Sequence, residues 1–323
     1  MKTKSLFISI LTITSLLIFA CYSNSNIPAQ IDAQEINLKV DRFERKFANA
    51  SINDLENLKF NYPYFFSSRI PDSIWIDRMR DSVQIEINKE VEKVFRDFED
   101  IEKDLNDLYK HLNYYKKDFK VPNVLTVTNF VDFRNKIIVT DTIVLIALDN
   151  FLGANHHFYN GIQKYLAKNF NQEQITVALA DYYAEKEIID TSKQYFLSEM
   201  IKEGKKLYYK DLLLPLKSDA EKIGYTEREL EWARQNEANI WSYFIEEEVL
   251  YNSDPKLTYR FITPAPFSKF GLSFDNESPG RIGAYIGWQI VRAYANNNDV
   301  AIDKLMRTPA KEIFEFSKFK PNR

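Results

Sequence analysis

The chain contains a single cysteine, Cys21, which stands at the end of an uncharged apolar run. With no second cysteine, no disulfide can form within the chain, and a zinc site built from several thiolates is excluded. The fold must therefore be held together by packing and hydrogen bonds. A chain of 323 residues is long enough to bury a sizeable hydrophobic core without such cross-links.

Residues 1–20 have the pattern of a secretory signal. Lys2 and Lys4 precede a run that is apolar except for serines and threonines. This run is shorter than the roughly 20 apolar residues that a membrane-spanning helix needs, which favours cleavage. Residues 18–21 (IFAC) resemble a bacterial lipoprotein box, so we expect lipidation of Cys21. An ordinary signal peptide with an incidental cysteine is the alternative.

Composition distinguishes two segments after the signal. Residues 21–34 are polar and include Pro28, which indicates a lipidated N-terminus and a flexible spacer. Residues 35–323 are expected to form a single globular domain, because the chain is 45% hydrophobic and 15% aromatic and has little glycine or proline. The first expected partner is the lipid bilayer, reached through acylated Cys21, since two acyl chains make a stable anchor.

The charge balance excludes some partners. Removal of Lys2 and Lys4 with the signal leaves 41 basic residues against 46 acidic ones, a formal charge of −5. A mildly acidic protein is a poor ligand for nucleic acid, which is bound through phosphate neutralisation, and for anionic lipid headgroups. No acidic cluster follows Cys21, so we expect the periplasmic face of an inner or outer membrane.

Hydrophobic periodicity predicts an α+β fold dominated by helices, with a small central β-sheet. Residues 35–41 alternate as a first strand, residues 42–58 are helical, and residues 60–70 form an aromatic loop. Apolar residues at steps of three and four predict one long helix from residue 73 to 115. Three further segments are rich in Val, Ile and Thr and predict strands: residues 123–131, 135–140 and 142–148.

The histidines do not form a metal-binding motif. His111 is expected at the edge of the core or on the surface of the long helix. His156 and His157 are adjacent, and neighbouring side chains in a regular element point in different directions. We therefore predict no catalytic residues, no metal and no cofactor, and we identify no small-molecule substrate. Gly283 and Gly287 are better explained by close helix packing than by phosphate binding.

Four segments of the second half together resemble the gliding motility lipoprotein GldB family. They are residues 196–215 (FLSEMIKEGKKLYYKDLLLP), 237–251 (EANIWSYFIEEEVLY), 261–274 (FITPAPFSKFGLSF) and 278–297 (SPGRIGAYIGWQIVRAYANN). The resemblance covers nearly the whole mature chain. It implies a non-catalytic envelope lipoprotein that is required for or accessory to gliding motility and the associated secretion machinery, with other envelope proteins of that machinery as partners.

Two short segments also resemble zinc peptidases of the zincin group. Residues 200–204 (MIKEG) are similar to the helix that carries a third zinc ligand there, and residues 279–283 (PGRIG) to a later turn. Residues 175–188, where HExxH would stand, contain no histidine. The resemblance implies a zincin-like scaffold without its metal motif, in which Glu203 is solvated or salt-bridged. A tethered zinc peptidase with unconventional ligands and a peptidoglycan- or carbohydrate-binding envelope protein remain alternatives.

Overall fold

The computed structural model describes residues 28–189, 195–273 and 275–322. Most of these residues are helical, as the sequence predicts. The α-helices are α1 (Ala29–Asp32), α2 (Phe43–Ala48), α3 (Leu55–Asn61), α4 (Asp72–Arg80), α5 (Ser82–Val94), α6 (Glu99–Tyr115), α7 (Lys164–Ala167), α8 (Gln174–Glu187), α9 (Phe196–Leu213), α10 (Asp219–Ile223), α11 (Glu227–Gln235), α12 (Glu237–Glu246), α13 (Pro255–Phe261), α14 (Ile282–Asn297), α15 (Ile302–Arg307) and α16 (Ala310–Ser317).

The β-structure is one four-stranded mixed sheet. Its strands are β1 (Val40–Asp41), β2 (Asn123–Val127), β3 (Ile137–Val139) and β4 (Ile143–Ala147). Their order is β1-β2-β4-β3, with β1, β2 and β4 parallel and β3 antiparallel at one edge. The predicted α+β class, dominated by helices around a small sheet, is confirmed.

The two faces of the sheet contribute to different hydrophobic clusters. Val124 and Val144 point to one side and join the large core, where helices α5, α6, α8, α9 and α14 meet. Leu125 and Leu145, one position further along, point to the other side. There they pack against an aromatic cluster, which consists of Phe43, Phe47, Tyr62, Phe65, Phe66 and Trp75. The alternation of side chains along each strand thus separates two sides of the molecule. We call the side of the large core the thick side and the side of the aromatic cluster the thin side.

Helices α9 and α14 pack so closely that their backbones touch. A Cβ atom on Gly287 would lie 1.8 Å from the carbonyl oxygen of Met200, and one on Gly204 would lie 2.3 Å from the carbonyl oxygen of Gly287. A Cβ on Gly283 would lie 2.9 Å from the Cδ1 atom of Ile262. The prediction that Gly283 and Gly287 serve close helix packing is confirmed, and Gly204 is the matching residue on the facing helix.

The predicted long helix over residues 73–115 is wrong, because it is three helices. Asp81 has an extended backbone between α4 and α5, and its carboxylate caps α5 by accepting a hydrogen bond from the Gln84 backbone N–H at 2.8 Å. Residues 95–98 separate α5 from α6, with Phe95 and Phe98 buried. The predicted helix at residues 42–58 is likewise divided into α2, a short 3₁₀ turn and α3.

The start of the folded body also differs from the prediction. The predicted spacer, residues 21–34, includes α1, whose Ile31 is only 1% exposed. Gln34 accepts a hydrogen bond from Asn113 on α6 at 2.6 Å, so this segment is part of the packed structure. The first strand, expected at residues 35–41, is only two residues long. Cys21 and residues 1–20 lie outside the described residues. Among the helices that the structure describes, none has the length and apolarity needed to cross a bilayer.

Candidate functional site

Helix α8 occupies the place where the peptidase alternative requires its metal ligands. Ile175, Leu179 and Ala184 on this helix are fully buried in the large core. Its acid, Asp181, forms an ion pair with the ammonium group of Lys210 at 2.7 Å, with about half of the Asp181 side chain accessible (49%). The face of α8 toward α9 therefore carries an ion pair and packed apolar side chains.

Glu203 on α9 is held by two cations. Its carboxylate contacts Lys206 at 2.8 Å and Arg281 at 3.0 Å. The Arg281 guanidinium also donates to the backbone oxygen of Ile223 at 2.9 Å. Glu203 is 17% exposed in its side chain, so these bonds occupy a largely buried carboxylate. The expectation that Glu203 is a salt-bridged helix residue is confirmed.

A second ionic network links α9, α10 and α14. Asp211 accepts hydrogen bonds from Trp288 Nε1 at 2.9 Å and from Arg292 Nε at 2.7 Å, and it pairs with Lys222 at 3.1 Å. Arg292 also reaches Asp219 at 2.8 Å. Burial lowers the pKa of Arg292, but its bonds to the two carboxylates outweigh burial and raise the pKa overall. The guanidinium is therefore held in its charged form.

A small basic cavity of about 170 Å³ lies beside these networks. Three cations line it: Lys136, Lys168 and Arg281. Lys168 is paired with Glu229 at 2.6 Å, and Arg281 is paired with Glu203. Burial lowers the pKa of Lys136; Asp181 opposes this shift, whereas Lys210 adds to it. Lys136 also lies 5.5 Å from the ring centre of Phe151, so it faces aromatic walls.

A second cavity opens on the thin side, at the carboxyl ends of β2 and β4, where ligands often bind to open α/β sheets. Its volume is about 230 Å³. We call it the strand-end pocket; it is lined by Phe43, Glu44, Phe47, Phe65, Trp75, Arg78, Val127, Thr128, Asn129, Asp132, Asn135, Ile138, Leu145 and Ala147. Apolar walls with a few polar groups at one end are typical of small-ligand sites.

The loop beside this pocket holds two consecutive residues in the left-handed region. Phe130 has φ 56° and Val131 has φ 58°. For a β-branched residue such as Val131 this conformation is a genuine outlier, and each such residue costs on the order of 1–3 kcal/mol. The surrounding structure must compensate for that cost. Strain of this kind is concentrated at binding and catalytic sites.

Asp149 supplies much of the compensation. Its carboxylate is fully buried and accepts hydrogen bonds from the backbone N–H groups of Asn129 at 3.1 Å and Val131 at 2.7 Å. Burial raises the pKa of Asp149, and these backbone hydrogen bonds oppose the rise. The Asn129 side chain donates to the backbone oxygens of Asp132 and Asn135 at 3.0 and 3.1 Å. Both ends of the loop are thereby fixed.

Arg78 of α4 lies at the polar end of the strand-end pocket. Its Nε donates to Gln84 Oε1 at 2.8 Å, and its Nη2 donates to the backbone oxygen of Thr128 at 3.0 Å. The guanidinium lies 4.8 Å from the ring centre of Phe130. It forms no ion pair with any carboxylate of the described residues. Burial lowers the pKa of Arg78, partly offset by Asp149 and Asp81.

His156 and His157 do not lie in a regular strand or helix, so the divergence expected of neighbouring side chains there does not apply to them. Their rings stack, with centroids 4.4 Å apart, because the pair enters a 3₁₀ turn and not a regular strand or helix. Nε2 of His156 lies 3.3 Å from Glu90, and Nε2 of His157 lies 3.2 Å from Glu86, both on α5. His111 is 5% exposed on the core side of α6, as expected for a core-edge residue. Within the described residues, no group of three ligating side chains is placed to hold a metal ion.

Sequence reasoning missed the strand-end pocket, and one signal for it was present. Asp149 directly follows an apolar strand, and a carboxylate can be buried there only if nearby groups donate hydrogen bonds to it. Arg78, in contrast, is one of several arginines and lysines on a charged helix, and nothing in its spacing marks it. The left-handed conformation of Phe130 and Val131 has no sequence signature, since both residue types usually avoid it.

A comparison with family models decides what kind of protein this is. A model described as "Gliding motility protein GldB" matches residues 24–321. The chain belongs to the GldB family. No match was found among curated proteins or solved structures. The resemblance stated from the sequence is confirmed, and GldB-family membership identifies a gliding-motility lipoprotein associated with the cell envelope.

Proposed function

We propose that this GldB-family chain is a membrane-anchored envelope lipoprotein that serves gliding motility and the associated secretion machinery by binding, without catalysis. The observation that carries the proposal is the family match over residues 24–321. Two structural features support a binding role. The helices that a peptidase would use for its metal are occupied by ion pairs of Asp181 and Glu203, whereas the strand-end pocket offers an open cavity with fixed polar groups.

The anchor is the next part of the proposal. A signal at residues 1–20 is removed and Cys21 is acylated, which attaches the domain through its own N-terminus to the bilayer, on the periplasmic face. Only six residues, 22–27, separate Cys21 from Pro28. At roughly 3.3–3.6 Å per residue, the seven steps from Cys21 to Pro28 can span at most about 25 Å. The folded body therefore works close to the membrane surface, where other motility proteins of the envelope are its partners.

Substitution of the cysteine tests the anchor. In cells that carry Cys21→Ala, we expect the protein to leave the membrane fraction and gliding to be lost or strongly reduced, because the acyl chains supply the attachment. Ser23→Ala is the matched control and should stay in the membrane fraction. Mass spectrometry of the N-terminal peptide should show two acyl chains on the wild type. Unchanged fractionation and gliding with Cys21→Ala would contradict the proposal.

Metal analysis tests the absence of catalysis. We expect the purified mature chain to contain no stoichiometric zinc, and we expect Asp181→Asn to restore gliding to a strain that lacks the gene, provided that the variant accumulates normally. One zinc ion per chain, lost together with gliding in Asp181→Asn or Glu203→Gln, would overturn the proposal in favour of a tethered peptidase with unconventional ligands.

A further inference from the structure

We propose that the strand-end pocket binds a small organic carboxylate with an apolar or aromatic body. The inference names a ligand for the proposed binding role and rests on that role. The pocket combines three features: a cavity of about 230 Å³, walls that are mainly aromatic and aliphatic, and the Arg78 guanidinium, which has no carboxylate partner within the described part of the chain. Each feature restricts the chemistry of the occupant.

The walls select an apolar body. Phe43 and Phe47 are buried members of the aromatic cluster, and the partly exposed Trp75 meets the Phe47 ring edge to face, with ring centres 6.3 Å apart. Leu145 and Val127 project from the sheet to form the opposite wall. A phenyl ring or a short alkyl chain between these surfaces would remove apolar area from water on both sides, which is the main source of affinity in such sites.

The polar end selects a single negative charge. Arg78 has two of its nitrogens committed to Gln84 and Thr128, so the guanidinium keeps further N–H donors for a ligand. No carboxylate of the described residues is paired with it. Glu44, which is paired with Arg42 at 2.6 Å, and Asp132 line the pocket, and Asp149 is buried behind the loop. These acids disfavour a second negative charge, so a carboxylate fits better than a phosphate dianion.

The donor is fixed before any ligand arrives. The Phe130 ring lies against the guanidinium, and the left-handed conformation of Phe130 and Val131 is maintained by Asp149. The backbone oxygen of Thr128, two residues before Phe130, accepts a hydrogen bond from Arg78. A guanidinium held in one place loses little freedom on binding, which improves both affinity and selectivity for a matching head group. In this proposal, the strained loop therefore serves to fix the position of the Arg78 guanidinium.

The test compares three probes that share one body. The mature chain carrying Cys21→Ser, which avoids detergent, is titrated calorimetrically with phenylpropanoate, phenylpropanol and phenylpropylamine. We expect the acid to bind at least ten-fold more tightly than the alcohol and the amine to bind more weakly still. Equal affinity for the acid and the alcohol, or binding of none of the three, overturns the proposal. Neither result affects the anchoring test, which uses localisation and gliding.

Substitutions test whether the probes bind in the strand-end pocket. Arg78→Gln should reduce affinity for the acid at least ten-fold and leave affinity for the alcohol unchanged, whereas Arg80→Gln, an exposed charge on the same helix, should change neither. If Arg78→Gln does not fold, Arg78→Lys takes its place. Lysine keeps the charge, so this variant should retain part of the preference for the acid over the alcohol. Ile138→Trp, at the exposed rim, should weaken all probes. Equal losses from Arg78→Gln and Arg80→Gln would overturn the assignment.

Discussion

The two sides of the β-sheet are built in opposite ways. On the thick side, α9 and α14 touch through Gly204 and Gly287, and acids such as Asp211 and Glu203 are paired with cations. On the thin side, a cavity remains open and Arg78 has no carboxylate partner among the described residues. The contrast indicates that the thick side carries the stability of the fold, whereas the thin side has been left free to bind.

The contrast is sharpest in the backbone. The thick side places Gly204 and Gly287 where the backbones of α9 and α14 touch, so no side chain blocks that contact. The loop beside the strand-end pocket instead places two consecutive bulky residues, Phe130 and Val131, where glycine would be favoured, whereas Glu248, Arg281 and Lys318 are single left-handed residues elsewhere. A loop that only had to turn could use glycine there. Bulky residues in this conformation are consistent with a surface that presents the Phe130 ring to Arg78.

Substitution of Gly287 by Ala should have the largest effect on stability. The new Cβ would lie 1.8 Å from the Met200 carbonyl oxygen, and backbone on both sides leaves no flexible group to move aside. We expect a net loss of at least about 3 kcal/mol in the free energy of unfolding, although alanine gains about 1 kcal/mol over glycine in helix propensity. Urea unfolding of the mature chain measures it.

Asn296→Ala is the matched control for Gly287→Ala. Asn296 is exposed in the last turn of the same helix, so its replacement should change the free energy of unfolding by no more than about 0.5 kcal/mol. If Gly287→Ala were as mild as this control, the helices would not depend on backbone contact, and the thick side would not be the rigid part of the molecule.

Asp211→Asn should be the next most severe change. Asp211 receives hydrogen bonds from Trp288 and Arg292, and it is 15% exposed in its side chain. The amide keeps the size but loses the charge, which leaves Arg292 with Asp219 alone. We expect a loss of about 2–3 kcal/mol in the free energy of unfolding, below the full cost of breaking a completely buried pair because water reaches part of this one.

The control for Asp211→Asn is a solvent-exposed ion pair on α16. Glu315 and Lys311 on α16 are 3.7 Å apart and more than half exposed, so Glu315→Gln should cost less than about 0.5 kcal/mol. Equal effects of the two substitutions would mean that the network on the thick side adds no more than a surface pair, and the contrast between the two sides would then rest on packing alone.

The class of the fold was predictable from sequence, but the difference between the thick side and the thin side was not. Runs of Val, Ile and Thr marked the strands, and the glycine spacing in α14 marked the close helix contact. The breaks in the predicted 73–115 helix were hidden because apolar steps of three and four continue through them. The strand-end pocket draws residues from α2, the 62–71 loop, α4, the 128–135 loop and the sheet, and only tertiary contacts bring these segments together.

Asp149→Asn tests the strained loop directly. Oδ2 of Asp149 accepts from the N–H groups of both Asn129 and Val131, and Oδ1 accepts from Asn129 as well. An amide oxygen at the Oδ2 position keeps both partners without the negative charge, and the amide nitrogen then points at the Asn129 N–H. We expect a loss of about 1–2 kcal/mol in the free energy of unfolding. Amide hydrogen exchange should rise in the 128–132 loop before it rises elsewhere.

Asp132→Asn is the control for Asp149→Asn. Asp132 is exposed in the same loop and accepts a hydrogen bond from the Asn135 side chain at 2.7 Å, which an amide oxygen can also accept. Exchange in the loop should stay close to that of the wild type. Uniformly raised exchange over the whole protein in Asp149→Asn would show that Asp149 supports global stability and has no special role in holding the loop.

The smallest expected effect concerns α5, the helix that both sides share: Gln84 holds Arg78, and Ile87 lies in the large core. The hydrogen bond from His156 is the main cause that lowers the pKa of Glu90 on this helix. Because the folded pKa lies below the unfolded one, the stabilisation is present above the unfolded pKa of about 4.3 and disappears as pH falls through the folded pKa. Urea midpoints of the wild type and Glu90→Gln should therefore differ at pH 7 and converge toward pH 3.

Glu86→Gln is the control for Glu90→Gln. Its partner His157 is 55% exposed, so this variant should differ less from the wild type at pH 7. A difference that persists at pH 3 would mean that Glu90 acts through packing and not through its charge.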